Sequence, residues 1–174
     1  MYGLNTNAVR EMHEDGVELI VTVDNGITAL EEAELIAELG MTLVITDHHQ
    51  PLETLPRAAA IVDAHRADDT SPFHDLCGAG VALKLVAALD GGDTAMALEQ
   101  FGELAAIATV ADVVTLSGEN RYLVQLGLRL LANTERPGLL KGVYFYFHCI
   151  RHCTENQRRR TVRLSENGGG TAVM

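Results

Sequence analysis

The sequence predicts an α/β fold, a parallel sheet made of strand–helix–strand units and followed by a helical segment. Three observations predict it. The run Met41-Thr42-Leu43-Val44-Ile45-Thr46 reads as a strand covered on both faces, the pattern of parallel sheets. A similar run, Glu18-Leu19-Ile20-Val21-Thr22-Val23, precedes it by one helix length, and strands so spaced pair in parallel through a crossover. Beyond residue 80 the apolar pattern takes helical spacing.

The elements follow in order. Residues 6–14 read as a helix, with Asn5 or Thr6 as its cap and Gly16 just past its end. Residues 17–23 form the first strand. Thr28 with Glu31 has the form of a capping box, opening a helix to Leu39 that stops at Gly40. Residues 41–46 form the second strand, and residues 50–57, with Pro51 and Pro56, a loop. Ala58–Val62 is a third, short strand, and residues 63–77 are a polar loop. Helices are expected over Gly80–Leu89, Asp93–Ala108 and Gly118–Leu131. No internal repeat is visible.

At 174 residues the chain fits one domain, or one domain with a tail. A hydrophobic fraction of 47% is enough for a real core. No apolar stretch approaches the roughly 20 residues that span a membrane, and no charged-then-apolar leader opens the chain. A cytoplasmic protein is therefore expected. The three cysteines make no spaced disulfide framework. The net charge of −11 neither supports nor excludes a nucleic-acid partner, because a local basic groove can coexist with an acidic whole.

Composition breaks near residue 142. The part before it holds 22 of the 24 acidic residues, and the part after it 5 of the 13 Lys and Arg. Tyr144-Phe145-Tyr146-Phe147 and Arg158-Arg159-Arg160 lie in the second part. Residues 143–174 are thus expected to be an atypical basic tail, disordered or translated from a shifted frame, with a native basic extension as the alternative. His148-Cys149 and His152-Cys153 resemble a ligand cluster but lack a second cysteine pair, which makes zinc a poor expectation.

Chemistry concentrates at the strand ends. Asp24 closes the first strand before Asn25-Gly26, and Asp47-His48-His49 closes the second. Ligands of open parallel sheets bind outside the carboxyl ends of the strands, so neighbouring strands would present both groups to one hydrated metal ion. Asp24-Asn25-Gly26 is also simply a good turn. Asp47-His48-His49 is sharper: a neutral imidazole ligates Mn²⁺ or Zn²⁺, a carboxylate orients it, and a second imidazole meets a phosphate oxygen. The bland reading is a polar loop. Asp112, closing the apolar stretch Leu104 to Val110, reads by itself as a helix N-cap or a partner of Arg121. Cys77-Gly78-Ala79-Gly80 offers helix N-terminal amides to a phosphate, or merely tight packing. Cys77 has no nearby histidine and is not expected to act as a nucleophile. His13, His65 and His74 read as loop or surface residues, and Lys84 and Arg121 as solvated cations.

Five blocks occur in one order: Tyr2-Gly3-Leu4-Asn5, Val23-Asp24-Asn25-Gly26-Ile27-Thr28, Ile45-Thr46-Asp47-His48-His49, Cys77-Gly78-Ala79-Gly80-Val81-Ala82-Leu83-Lys84-Leu85, and Ala111-Asp112-Val113-Val114-Thr115-Leu116-Ser117-Gly118-Glu119-Asn120-Arg121. Together they resemble the DHH phosphoesterase superfamily, and most closely its RecJ-like branch of single-strand-specific exonucleases, over roughly residues 1–142. The resemblance implies a DHH catalytic domain that hydrolyses single-stranded DNA from the 5′ end with Mn²⁺ (or Mg²⁺). It implies that Asp24 bridges two ions, that His48 and Asp112 ligate one of them, and that His49 contacts the scissile phosphate. Asp47 supports the histidines, and Gly78, Gly80 and Arg121 bind substrate. The implied reaction is in-line attack of water on phosphorus, with no covalent intermediate.

The departures matter too. The family's first motif, an Asp-x-Asp strand end, lies upstream of the Tyr-Gly-Leu-Asn block, which here begins at residue 2. Asp63-Ala64-His65 stands where Asn-Pro is common, and Asn25 where Cys is common. Residues 1–142 are thus expected to be a partial catalytic domain with at most one well-formed metal site, inactive or weak alone. Other readings are a phosphoesterase of small substrates (oligoribonucleotides, cyclic dinucleotides or pyrophosphate), or a non-catalytic scaffold in replication and repair complexes. An exposed sheet edge is expected to drive homo-oligomers.

Overall fold

The structure, a computed structural model, describes residues 3–140. Expectations for residues 143–174, including the His-Cys pairs, lie outside the described residues. The chain divides into two units, 1–132 and 133–174. All elements below belong to the first. In the second, the described residues include one turn in which Leu139 and Leu140 donate to the Arg136 carbonyl.

The element order is α1 Thr6–Glu14, β1 Leu19–Val23, α2 Leu30–Glu38, β2 Thr42–Thr46, β3 Ala60–Val62, α3 Gly78–Leu89, α4 Thr94–Ala111 and α5 Gly118–Leu131. The strands form a parallel sheet of order β1-β2-β3. Val23 is in register with Thr46, and Thr46 with Val62, so all three carboxyl ends finish at one level. The expected α/β class and its parallel sheet are as read from the sequence.

Local chemistry explains the boundaries. Asn5 caps α1 by accepting from the Ala8 N–H at 2.9 Å. Gly16 and Gly40, with φ of 80° and 76°, end α1 and α2 in the left-handed conformation that glycine adopts at helix ends. The expected capping box at Thr28 and Glu31 does not form: α2 starts at Leu30, and its N-cap Ala29 makes no side-chain bond. A tight turn replaces it, with Ala29 N–H donating to the Gly26 carbonyl and the Ile27 N–H to the Asp47 carboxylate. α4 also runs further than expected, to Ala111.

Two apolar clusters hold the unit. One face of the sheet (Ile20, Leu43, Ile45) packs against α1 and α2 through Val9, Ala33, Leu35 and Ile36. The second cluster joins α3, α4 and α5 through Leu83, Ala87, Ala97, Ala105 and Leu123. α4 and α5 touch closely: a Cβ on Gly127 would lie 2.2 Å from the Ala106 Cβ. On the other sheet face, Leu19, Val21 and Val23 of β1 are about half exposed.

Candidate metal centre

The three strand ends carry Asp24, Asp47 and Asp63. Asp24 has φ +66°, a left-handed conformation that Asp tolerates better than most residues. Its N–H still donates to the Thr46 carbonyl at 3.0 Å, continuing the ladder while the side chain turns away. Gly26 is required by close approach: its φ is +111°, and a Cβ there would lie 2.9 Å from Thr22 Oγ1.

Asp47 is a brace. Its side chain is 1% exposed. One oxygen accepts from the Ile27 N–H at 2.9 Å. The other accepts from the His48 N–H at 2.8 Å and the His49 N–H at 3.3 Å, and lies 2.7 Å from His49 Nδ1. Burial alone would push this carboxyl up, but the bonds from Ile27, His49 and His48 outweigh it and hold it below the usual range. The bond to Asp47 in turn raises His49, against a smaller effect of burial and with help from the charges of Asp47, Asp24 and Asp112.

His48 takes the opposite direction. The two rings lie 4.4 Å apart and are tilted by 51°, so adjacent residues serve different partners. His48 Nε2 lies 2.9 Å from Asp24 Oδ1 and 3.5 Å from Asp112 Oδ2. Asp112 caps the carboxyl end of α4, where a negative charge is unfavourable unless a cation offsets it. Its partner is therefore His48, not Arg121, which lies exposed on the first turn of α5. Val113 follows with φ +59°, a costly conformation for a β-branched residue.

These donors fit a divalent ion. Cis ligands on an octahedral ion with bonds of about 2.1 Å lie about 3 Å apart, close to the spacing around His48 Nε2. That nitrogen is buried and makes no hydrogen bond of acceptable geometry, as suits a ligand atom rather than a donor. Ligand atoms of Asp24, His48 and His49 all lie within 4.8 Å of one another. Asp24 and Asp112 are 40% and 42% exposed against 12% for His48, so the site opens to solvent on its carboxylate side.

The remaining candidates divide. Gly78 packs against Asp24: a Cβ there would lie 2.4 Å from its Oδ1. Gly80 packs against Leu76. Cys77 is buried with Sγ 3.4 Å from Thr109 Oγ1, in keeping with an inert thiol. Lys84 pairs with Glu119 rather than standing free. Asp63 and His65 were missed. Asp63 is buried, and His65, expected at the surface, is only 22% exposed beside it. The available signal was the repetition of Asp-x-His after two successive strands.

The fold and site together are those of an α/β domain whose parallel strand ends gather Asp24, Asp47, His48 and His49 near Asp112 at the end of α4. The chain belongs to the DHH family: residues 3–115 match the model of the DHH family, N-terminal domain. It is 46% identical over 138 residues to the single-stranded-DNA-specific exonuclease RecJ of Bacillus subtilis (strain 168), covering 79% of this chain and 17% of that protein. It is 41% identical over 150 residues to RecJ of Escherichia coli (strain K12), covering 79% and 26%. The crystal structure of RecJ in complex with Mn²⁺ from Thermus thermophilus superposes with TM-score 0.64 at 33% identity, over 78% of this chain and 20% of that one. That of exonuclease RecJ bound to manganese gives 0.65 at 34%, over 79% and 35%. The chain thus spans about a sixth to a quarter of the length of the curated relatives it matches.

Proposed function

We propose that this chain carries the metal-binding core of a phosphodiesterase acting on single-stranded DNA, with Asp24, His48 and Asp112 holding a divalent ion, Mn²⁺ or Mg²⁺. The observation that carries this is the convergence of Asp24 and Asp112 on His48 Nε2, at 2.9 and 3.5 Å, from three different elements. The relatives named as single-stranded-DNA-specific exonucleases support the substrate, and those solved with manganese support the ion. Once bound, a divalent ion supplies activation of water and neutralisation of charge at phosphorus.

The chain's own residues do the rest. Asp47 holds His49 by Nδ1, which favours the doubly protonated ring and aims the Nε2–H at a phosphate oxygen. Gly78 and Gly80 contribute N–H groups at the amino end of α3, where anions are favoured. Arg121 contributes an exposed cation. Calorimetry tests the assignment: Mn²⁺ binds the unsubstituted chain, and Asp24→Asn, His48→Ala and Asp112→Asn each abolish binding together with any Mn²⁺-dependent release of nucleotides from single-stranded DNA. Unchanged Mn²⁺ affinity in His48→Ala would sink it.

Association with further replication or repair proteins belongs to the same proposal, and so does self-association. β1 is an edge strand among the described residues, and its outward Leu19, Val21 and Val23 are 54%, 45% and 47% exposed. An edge of this kind pairs with other chains. Light scattering at rising concentration should show dimers or larger species, and a monomer throughout would count against them. Among the described residues no helix is long and apolar enough to cross a membrane.

A further inference from the structure

β2 and β3 end in the same device. Thr46 and Val62 are register partners, and the Asp47 N–H donates to the Val62 carbonyl at 3.0 Å. Asp47 and Asp63 therefore leave the sheet side by side, and His49 and His65 each follow two residues later. In both pairs the aspartate side chain is buried, at 1% and 0% exposure. In both, its Oδ1 accepts from the N–H of the histidine two residues on, at 3.3 Å for His49 and 2.8 Å for His65. In both, that oxygen also faces the histidine's Nδ1, at 2.7 and 3.5 Å.

The second pair is not explained by packing. Asp63 Oδ2 and His65 Nδ1 are buried without a hydrogen bond, and a buried polar group left so is costly unless function requires it. The loop that carries them is pinned. Arg66 donates to the Ile61 carbonyl at 2.5 Å, and His74 Nδ1 contacts the Ala64 carbonyl. Arg66, the neighbouring cation, is committed to both oxygens of Asp68. His65 Nδ1 is buried while the side chain as a whole is 22% exposed, which makes Nε2 the nitrogen to offer a ligand.

We infer that Asp63 and His65 form a second carboxylate–imidazole pair, in which His65 Nε2 binds a phosphate of the substrate strand next to the scissile one and Asp63 positions the ring. This rests on the phosphodiester reading above. With Asp63 facing Nδ1, the ring is oriented so that Nε2 is the nitrogen left to meet a phosphate oxygen. The long Nδ1–Oδ1 separation closes on binding, as such contacts do when substrate arrives. Neighbouring strands lie about 4.8 Å apart, so His49 and His65 emerge within reach of one short oligonucleotide. His65 is a substrate-binding residue and Asp63 a positioning residue.

The test uses the 174-residue chain with Mn²⁺. The probes are a fluorescein-labelled thymidine tetranucleotide with phosphorothioate linkages, read by anisotropy, and thymidine 5′-monophosphate, read by competition. His65→Ala should weaken the tetranucleotide about tenfold and leave the mononucleotide, Mn²⁺ affinity and melting temperature unchanged. His65→Arg should restore most of the loss, and Asp63→Asn, which keeps the acceptor oxygen without its charge, should fall between. Tetranucleotide affinity unchanged in His65→Ala overturns the inference and leaves the phosphodiester reading standing. Loss of Mn²⁺ affinity or folding in the same variant makes the pair structural and also overturns it. If the unsubstituted chain binds no tetranucleotide, the phosphodiester reading itself fails and the inference with it.

Discussion

Replacing Asp47 by alanine separates a structural carboxylate from a ligand. In the native state this side chain receives the N–H groups of Ile27, His48 and His49 and the ring of His49. Deleting it strands donors in a region where Ile27 is 1% exposed. Each buried donor left without a partner costs about 1–3 kcal/mol. Ile27 N–H is stranded fully, while the histidine N–H groups are nearer water, so the sum is about 3–4 kcal/mol. For a domain of this size that lowers the melting temperature by about 10 °C. Asp47→Asn keeps an acceptor and should lose about half as much. Asp24→Gly, by contrast, removes a partly exposed carboxylate at a φ of +66° that glycine adopts freely, and should cost little. The assay is thermal unfolding by circular dichroism in EDTA, so that metal affinity does not enter. If Asp47→Ala melts within about 3 °C of the unsubstituted chain, the carboxylate is not the brace that joins β2 to the start of α2.

Three further outcomes are expected. Asp47 sits below its ordinary value of 3.8, so its contribution is present above that pH and lost as pH falls through the lower native value; His49 sits above 6.5, so its contribution is present below that pH and lost as pH rises through the higher native value. The pair therefore stabilises most between about pH 4 and 6.5, and the melting difference between the unsubstituted chain and His49→Ala in EDTA should shrink toward pH 8; a difference flat from pH 5 to 8 speaks against it. Gly78→Ala drives a methyl to within 2.4 Å of Asp24 Oδ1, so calorimetry should show Mn²⁺ affinity falling at least about tenfold, equivalent to about 1.4 kcal/mol, and an unchanged affinity would refute the placement of α3. Val113→Gly relieves a residue at φ +59° that is 85% exposed, so urea unfolding should show a gain of about 1 kcal/mol, and a loss would show that the Val113 side chain contributes in a way its exposure hides.

The alternation of strand and helix, and the delivery of Asp24 and Asp47-His48-His49 at strand ends, were legible from sequence alone. Apolar period and turn residues are local signals, and a parallel sheet places its carboxyl ends together whatever the details. Asp112 was legible only through resemblance, because by itself an acid after an apolar helix has many harmless readings. The tertiary structure decided the rest. It set Asp112 against His48 rather than Arg121, made Asp47 the clasp for Ile27 in place of a Thr28–Glu31 capping box, pressed Gly78 onto Asp24, and ranged Asp63-His65 beside Asp47-His49. Each of these depends on strand register or on where α3 and α4 dock. Those are distances between segments far apart in the chain, set by the packing of whole elements, and no local pattern of residues encodes them.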